Sequence, residues 1–365
     1  MSPRPGSFRF FFLVSMILLG LGVLWYILDD SVDFEAKLSH RLFECQRKMA
    51  QSMRRLPRRN FNLSHTDKDS YKGPIVLGWD PQRNRIINDY LPKNENVFTV
   101  LPRHVDPLTT DMLFIIKTRV DGFSNRNRTR SLWGKLLHIL KPSARVIFII
   151  GRTDLNSLNT KRLNEEINTH GDILQVNVSD SYYNLTLKTL AAHKFVVDKE
   201  WILEPEYVMI LDDDMFLNVP LFLRKMKEMS DQCQGPLLHG YFSNNYFPVQ
   251  DGLTQKLSSR WGAPSYMLVD KVYPAYVYGV HVTMSHETVK CLYEEAYNLP
   301  FFHIDDVFIN GFCAYRCGIQ PQRFIGVNIL VTRFIPNETI SCMHVHQDPM
   351  FQSVVKHYNL SHLVK

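Results

Sequence analysis

The chain has 365 residues, 45% of them hydrophobic, and a formal net charge of +6 at pH 7. That length suits one large α/β domain or two small ones. The excess charge is mild and part of it lies in the basic run 41–59, which argues against a folded nucleic-acid face.

The first element is Phe10 to Leu28, a charge-free apolar run of about 19 residues that would span roughly 28 Å as a helix. Arg4 and Arg9 precede it, and Asp29, Asp30 and Asp33 follow. That asymmetry predicts a cytosolic tail at 1–9, a transmembrane signal anchor at 10–28 and a translocated remainder. No small-x-small cleavage pattern follows the run, so an uncleaved anchor is expected rather than a removed signal peptide. Six N-x-S/T sequons, at Asn62, Asn127, Asn177, Asn184, Asn337 and Asn359, all lie beyond it.

Residues 29–105 are broken by prolines and read as a luminal stem, leaving 106–365 as the catalytic domain. The basic run lies in this stem, where Cys45 is available to bridge two copies into a homodimer. The other cysteines are Cys233, Cys291, Cys313, Cys317 and Cys342. An even count in a translocated chain permits disulfides without revealing their pairing. Cys313 and Cys317 fit one helical face, and with no matching Cys/His pair nearby they read as structural rather than zinc ligands.

From Asp111 the periodicity changes. Met112–Ile116 and Arg145–Ile150 are apolar runs of strand length, with a helix expected from about Thr129 to Leu140. Ile173–Val178 alternates as a strand, Leu185–Val197 has helical spacing, and Tyr207–Leu211 is another apolar run. Strands alternating with helices predict a mostly parallel sheet covered on both faces. Beyond it come a helix at Pro220–Met229, a strand at Leu237–Phe242, a loop-rich aromatic stretch at 243–279, and a helix at Met284–Leu299 with Ser285 as N-cap. A last helix opens at Asp305-Asp306 and runs through Cys317.

The most telling segment is the strand that ends in Asp212-Asp213-Asp214. Ligands of open α/β sheets collect at the carboxyl ends of strands. Crowded carboxylates there need a cation, and oxygen ligands suit Mg²⁺ or Mn²⁺ carrying a substrate diphosphate. The alternative is an acidic turn ahead of the helix near Pro220.

Several segments together resemble one family. Phe114-Ile-Ile-Lys-Thr with Arg126-x-x-x-Arg130-x-x-Trp133-Gly134 is similar to the first block of the β-1,3-galactosyltransferases (glycosyltransferase family 31), type II Golgi membrane enzymes. The segment from Gly171 through Asp180, Asn184 and Lys188 to Thr189 resembles their most recognisable block, and Asp212–Asp214 with Phe216 their metal motif. Tyr273-Pro274-x-Tyr276-x-x-Gly279 resembles the acceptor-side block and Asp305-Asp306-Val307-Phe308 the second acidic motif. These blocks are collinear over 112–319.

The resemblance implies a GT-A fold behind a single N-terminal transmembrane helix, a Golgi membrane location with the catalytic domain luminal, and a UDP-sugar as donor. It implies inverting transfer of a hexose, galactose first, to the 3-hydroxyl of a glycan on glycoprotein or glycolipid. A β-1,3-N-acetylglucosaminyl- or N-acetylgalactosaminyltransferase, or a non-catalytic glycan-binding relative, stands as the alternative. Mn²⁺ or another divalent cation is the implied cofactor, with Asp214 as direct ligand and Asp212 at ribose or at the metal's water shell. Asp213 would stand beside them at the nucleotide-sugar.

Inversion needs a base for the acceptor proton, and Asp306 is the first choice with Asp305 second. Both acids could instead only cap the helix they open. His344 and His346, spaced to share a strand face, are candidate late metal ligands. Arg126, Arg130 and Lys188 would offset diphosphate charge, or else form ion pairs on helices. The family's glycine-rich run appears here as Tyr278-Gly279-Val280-His281-Val282, and its larger side chains are expected to reshape the sugar pocket. Asp305 replaces the commoner glutamate, and the glycine expected after the acidic motif is displaced to Gly311.

Overall fold

The computed structural model describes residues 61, 63 and 71–364, apart from 107, 153–156, 199–203, 232–235, 245–260, 331–333 and 344–346. The anchor at 10–28, most of the stem, Cys45, Cys233, Asn62, His344 and His346 lie outside the described residues. Among the described residues no helix is long and apolar enough to cross a membrane.

The strands run in chain order β1 (Phe98–Val100), β2 (Met112–Lys117), β3 (Ala144–Arg152), β4 (Ile173–Ser179), β5 (Tyr207–Asp212), β6 (Met215–Leu217), β7 (Leu238–Ser243), β8 (Tyr276–Ser285), β9 (Gln322–Arg323), β10 (Val327–Leu330) and β11 (Ser341–Met343). The main sheet has the order β1-β4-β3-β2-β5-β8-β7-β9, and β10-β11-β6 form a small second sheet. Strands β4, β3, β2 and β5 are parallel, whereas β1 and β8 add antiparallel to that block. The expected α/β architecture with a mostly parallel centre is present.

Its residues explain it. Successive side chains of β2 and β5 point to opposite faces and both faces are covered, so every residue of Met112–Lys117 is buried. Leu113, Ile115, Val208 and Ile210 join one apolar cluster. Phe114, Ile116, Met209 and Leu211 join the other.

The chain builds β2, β3 and β4 outward in one direction, then returns to lay β5 on the other side of β2. That reversal is a topological switch point, where such sheets leave a crevice at the carboxyl ends of the strands. Lys117 and Asp212, the last residues of β2 and β5, are in register there.

Three expectations are corrected. Val76, Trp79, Ile87 and Leu91 are buried in the first cluster and β1 edges the sheet, so the folded unit reaches back past the boundary expected at 105. The helix Ser157–His170 was missed because only Leu158, Leu163 and Ile167 are apolar in its 14 residues. The aromatic stretch read as loop ends in β8, a ten-residue strand paired with both β5 and β7. The helix that follows starts at His286, with Ser285 in the N-cap position, and ends at Ala296. Instead of capping a backbone N–H of that helix, the Ser285 hydroxyl meets the Thr288 hydroxyl at 3.0 Å and accepts from the Leu237 N–H.

Cys317 pairs with Cys291, while Cys313 and Cys342 are buried free thiols. The disulfide ties the helix His286–Ala296 to the turns that follow Asp305-Asp306.

Candidate active site

Five carboxylates and a lysine converge at the switch point. Lys117 Nζ lies 3.0 Å from Asp212 Oδ1 and 3.1 Å from Asp305 Oδ2, with its side chain 3% exposed. Burial alone would strip its proton, but the two carboxylates outweigh burial and hold its pKa above the usual lysine range. Lys117 thus ties the metal motif to the second acidic motif. In the sequence Lys117 stands out only as part of a family block, which does not reveal this role. The available signal was a lysine closing a fully apolar strand, a position that is unfavourable unless a carboxylate waits beside it.

Asp213 and Asp214 occupy the turn between β5 and β6. Asp213 Oδ2 accepts the Thr118 hydroxyl at 2.6 Å, which fixes it against the loop after β2. Asp214 Oδ1 is buried without a hydrogen-bond partner. Burial, with Asp212 and Asp213 alongside, pushes the Asp214 carboxyl up to about 6. The pKa of Asp212 is likewise raised, chiefly by burial. A buried carboxylate oxygen with no donor beside it is the kind of group that ligates a hard divalent cation. Among the described residues no three His, Cys, Asp or Glu side chains form a ready-made metal cage. Mg²⁺ and Mn²⁺ do not require one, because substrate phosphates and water complete their coordination. The donor set therefore fits such an ion, held by Asp214 with Asp212 next to it.

The second acidic pair divides into two roles. Asp305 accepts from Lys117 and, at 3.0 Å, from the Thr189 hydroxyl, so its side chain is committed to holding the frame. Asp306 accepts only backbone N–H groups, from Val307 at 2.8 Å and from Gly279. Burial and then Asp305 push its carboxyl up to about 7. A carboxylate near neutrality at a cleft suits a general base. Asp306 is thus the acid of the pair that no side chain holds, and Asp305 the one that Lys117 and Thr189 fix.

Gly279 makes this crowding possible. A Cβ there would stand 3.0 Å from Lys117 Nζ and 3.5 Å from both Asp305 Oδ2 and Asp306 Cβ. Two of the larger residues of this run point into the core. His281 is fully buried between Ser341 and Thr283, bonded to both hydroxyls, and burial lowers its pKa to about 3. Val282 is buried in the first apolar cluster.

The other basic candidates are all held by carboxylates within the fold. Arg126 is fully buried, bonded through Nε and Nη2 to Glu166 and through Nη1 and Nη2 to the carbonyls of Arg119 and Val120. Arg130 is bidentate to Asp172 and also reaches Glu166. Lys188 donates to Asp180 at 2.7 Å and to the Thr118 carbonyl at 2.9 Å, and Asp180 in turn accepts the Val120 N–H. Together they clamp the loop 118–122, which presents Thr118 to Asp213. Each has a carboxylate beside it, because burying a cation requires its counter-charge to be close.

Of the sequons, Asn127, Asn177, Asn337 and Asn359 are exposed. Asn184 is not available in the same way, since its amide accepts from Trp79 Nε1 and donates to the Ser179 carbonyl.

The galactosyltransferase family model matches residues 124–324, and the chain belongs to that family. It is 27% identical over 217 residues to beta-1,3-galactosyltransferase 1 of Homo sapiens, covering 60% of this chain and 64% of that one. It is 28% identical over 221 residues to lactosylceramide 1,3-N-acetyl-beta-D-glucosaminyltransferase A of Danio rerio, covering 59% and 56%. The chain thus spans less than two thirds of these curated relatives. Among solved structures, galactosyltransferase LgtC with donor and acceptor analogs aligns over 69% of this chain and 95% of that chain, at 12% identity and a TM-score of 0.33. Likeness at that level carries no weight for the fold or the chemistry.

Proposed function

We propose that the protein is an inverting, divalent-cation-dependent glycosyltransferase of GT-A type. It would move a hexose, galactose first, from a UDP-sugar to the 3-hydroxyl of a glycan acceptor, forming a β-1,3 linkage. The carrying observation is that Lys117 joins Asp212 to Asp305, and so sets an orphaned carboxylate (Asp214) and a near-neutral backbone-held one (Asp306) next to one another's motifs. Names of relatives support a glycosyl-transfer reading, and the Danio rerio relative keeps N-acetylglucosamine as the second donor choice.

The residues divide the work. Asp214, with Asp212, would hold the cation, which stabilises the departing diphosphate as a Lewis acid. Asp306 takes the acceptor hydroxyl proton while that oxygen bonds to the anomeric carbon from the face opposite UDP. The glycosidic C–O electrons leave with UDP, so one bond forms as one breaks and configuration inverts. Lys117 and Thr189 hold the Asp305 side chain in place, which leaves Asp306 as the group that carries the proton. The anchor and sequons support a type II placement in the Golgi membrane with this site luminal.

The test is UDP release by the protein from UDP-galactose, UDP-N-acetylglucosamine and UDP-N-acetylgalactosamine, with and without Mn²⁺ and with a panel of glycan acceptors. Cation-dependent release with UDP-galactose fastest is expected. No release from any donor with any acceptor would defeat the reading.

A further inference from the structure

At the other end of the same strands lies a cleft of about 660 Å³ that the transfer site does not use. It opens where β3 begins, at Ala144 and Arg145, and its wall reaches Asp172 just before β4. Met112 pairs with Ala144, and Lys117 pairs with Ile149 five residues further on. At about 3.3 Å per strand residue the cleft is roughly 17 Å from the lysine that ties the acids together.

Its lining is cationic. Arg130 is already held by Asp172 and Glu166, whereas Arg103, Lys135 and Arg145 face one further carboxylate in the lining, Asp106. Arg103 and Arg145 donate to backbone carbonyls, of Ile167 and of His104 and Ala144 respectively, so neither charge is neutralised there. Lys135 and His138 are exposed and make no ion pair among the described residues. His104 and His170 complete a rim of six basic side chains besides Arg130, with the half-buried Val105 and Val146 as the accessible apolar part of the lining. Like charges this close repel one another, so the arrangement lowers stability unless an anion occupies it. A concave site with some apolar lining and charge at the rim also suits a small compact ligand better than an extended polymer.

We propose that this cleft is an anion-binding site for an acidic sugar, one that carries a sulfate or phosphate ester. The rim would take the oxyanion, and the half-buried Val105 and Val146 would take the sugar's C–H face. The choice of a sugar rests on the glycosyltransferase reading, whereas the choice of an anion rests on the rim alone. The site would then hold the acidic part of a glycan away from the transfer centre.

The experiment is calorimetric titration of the whole protein with a 6-O-sulfated disaccharide, its unsulfated parent and sodium sulfate. Wild type should bind the sulfated disaccharide, with affinity falling as NaCl rises from 50 to 300 mM. The parent sugar and sulfate alone should each bind at least tenfold more weakly. Lys135→Glu/His138→Glu should weaken sulfated-sugar binding at least tenfold, with Lys135→Gln intermediate. Mn²⁺–UDP binding should be unchanged in those variants, and Asp214→Ala should leave the sulfated sugar's affinity intact. Equal binding of the parent sugar would overturn the anion assignment, and equal binding of sulfate would overturn the sugar assignment. Loss of binding in Asp214→Ala would place the ligand at the transfer centre instead. None of these outcomes depends on turnover, so a failed glycosyltransferase reading would be recognised separately.

Discussion

Replacing Lys117 with methionine keeps the length of the side chain and removes the charge that two carboxylates share. The contacts are 3.0 and 3.1 Å, each a Coulomb attraction of about 5 kcal/mol at an effective dielectric of about 20. Much of that gain is offset by desolvating the three charges. The net effect is better taken from the cost of breaking a buried pair, about 3–5 kcal/mol when one partner is lost. Asp212 retains 33% side-chain exposure against 11% for Asp305, which places the expected loss near the lower figure. At about 2–4 °C per kcal/mol for a domain of this size, Lys117→Met should lower Tm by roughly 6–12 °C. Calorimetry on wild type, Lys117→Met, Asp305→Asn and the double mutant would measure it, and the two single losses should be strongly non-additive. A loss under about 1 kcal/mol, the range of a solvent-exposed ion pair, with additive singles, would refute the account of Lys117 as the link between the two acidic motifs.

Four further outcomes follow from the same geometry. With Asp306 as base and its carboxyl held up to about 7, kcat/KM should rise with pH through that region and level off above it. A rate that falls over the same interval would contradict the assignment. Because the folded protein holds that proton more tightly than the unfolded chain, stability should decline as pH rises from about 4 to 7. Asp306→Asn should therefore unfold at higher temperature than wild type at pH 7.5, with the advantage shrinking toward pH 4. Gly279→Ala puts a methyl group 3.0 Å from Lys117 Nζ and should reduce kcat by about 10-fold with little change in Tm, which steady-state kinetics and calorimetry can compare. Arg126→Met should cost about 3 kcal/mol, seen as a lower Tm, yet leave KM for the donor within about twofold, since its guanidinium serves Glu166 and the loop carbonyls.

What the sequence revealed depended on the kind of signal. The parallel strands announced themselves because a strand buried on both faces must be continuously apolar, as Met112–Ile116 and Tyr207–Leu211 are. The Asp triplet was legible for the complementary reason, three charges where such a run stops. The helix Ser157–His170 gave little, since its inward contacts include a carboxylate, Glu166, that is neutralised by arginines 36 and 40 residues away. Strand β8 was hidden because polar Thr283 and His281 interrupt its apolar pattern, and both are accommodated by partners distant in the chain or across the sheet.

Basic residues of the family blocks were visible as chemistry but not as placement. Arg126, Arg130 and Lys188 looked like phosphate ligands, and only the fold shows the carboxylates that already hold them. Lys117 is the converse case. Its two partners stand 95 and 188 residues away, a juxtaposition created by β5 returning to β2 and by the turn after β8.

The central claim is that Asp214 and Asp306 do different work in one transfer reaction. The most direct measurement is turnover of Asp306→Asn with saturating UDP-sugar, acceptor and Mn²⁺, alongside calorimetric binding of Mn²⁺–UDP to the same variant. Loss of a general base should lower kcat by about 10²–10⁴-fold, while Mn²⁺–UDP affinity stays within about threefold because Asp214 and Asp212 are untouched. A variant that turns over within about tenfold of wild type would contradict Asp306 as the base and with it the division of labour across Lys117.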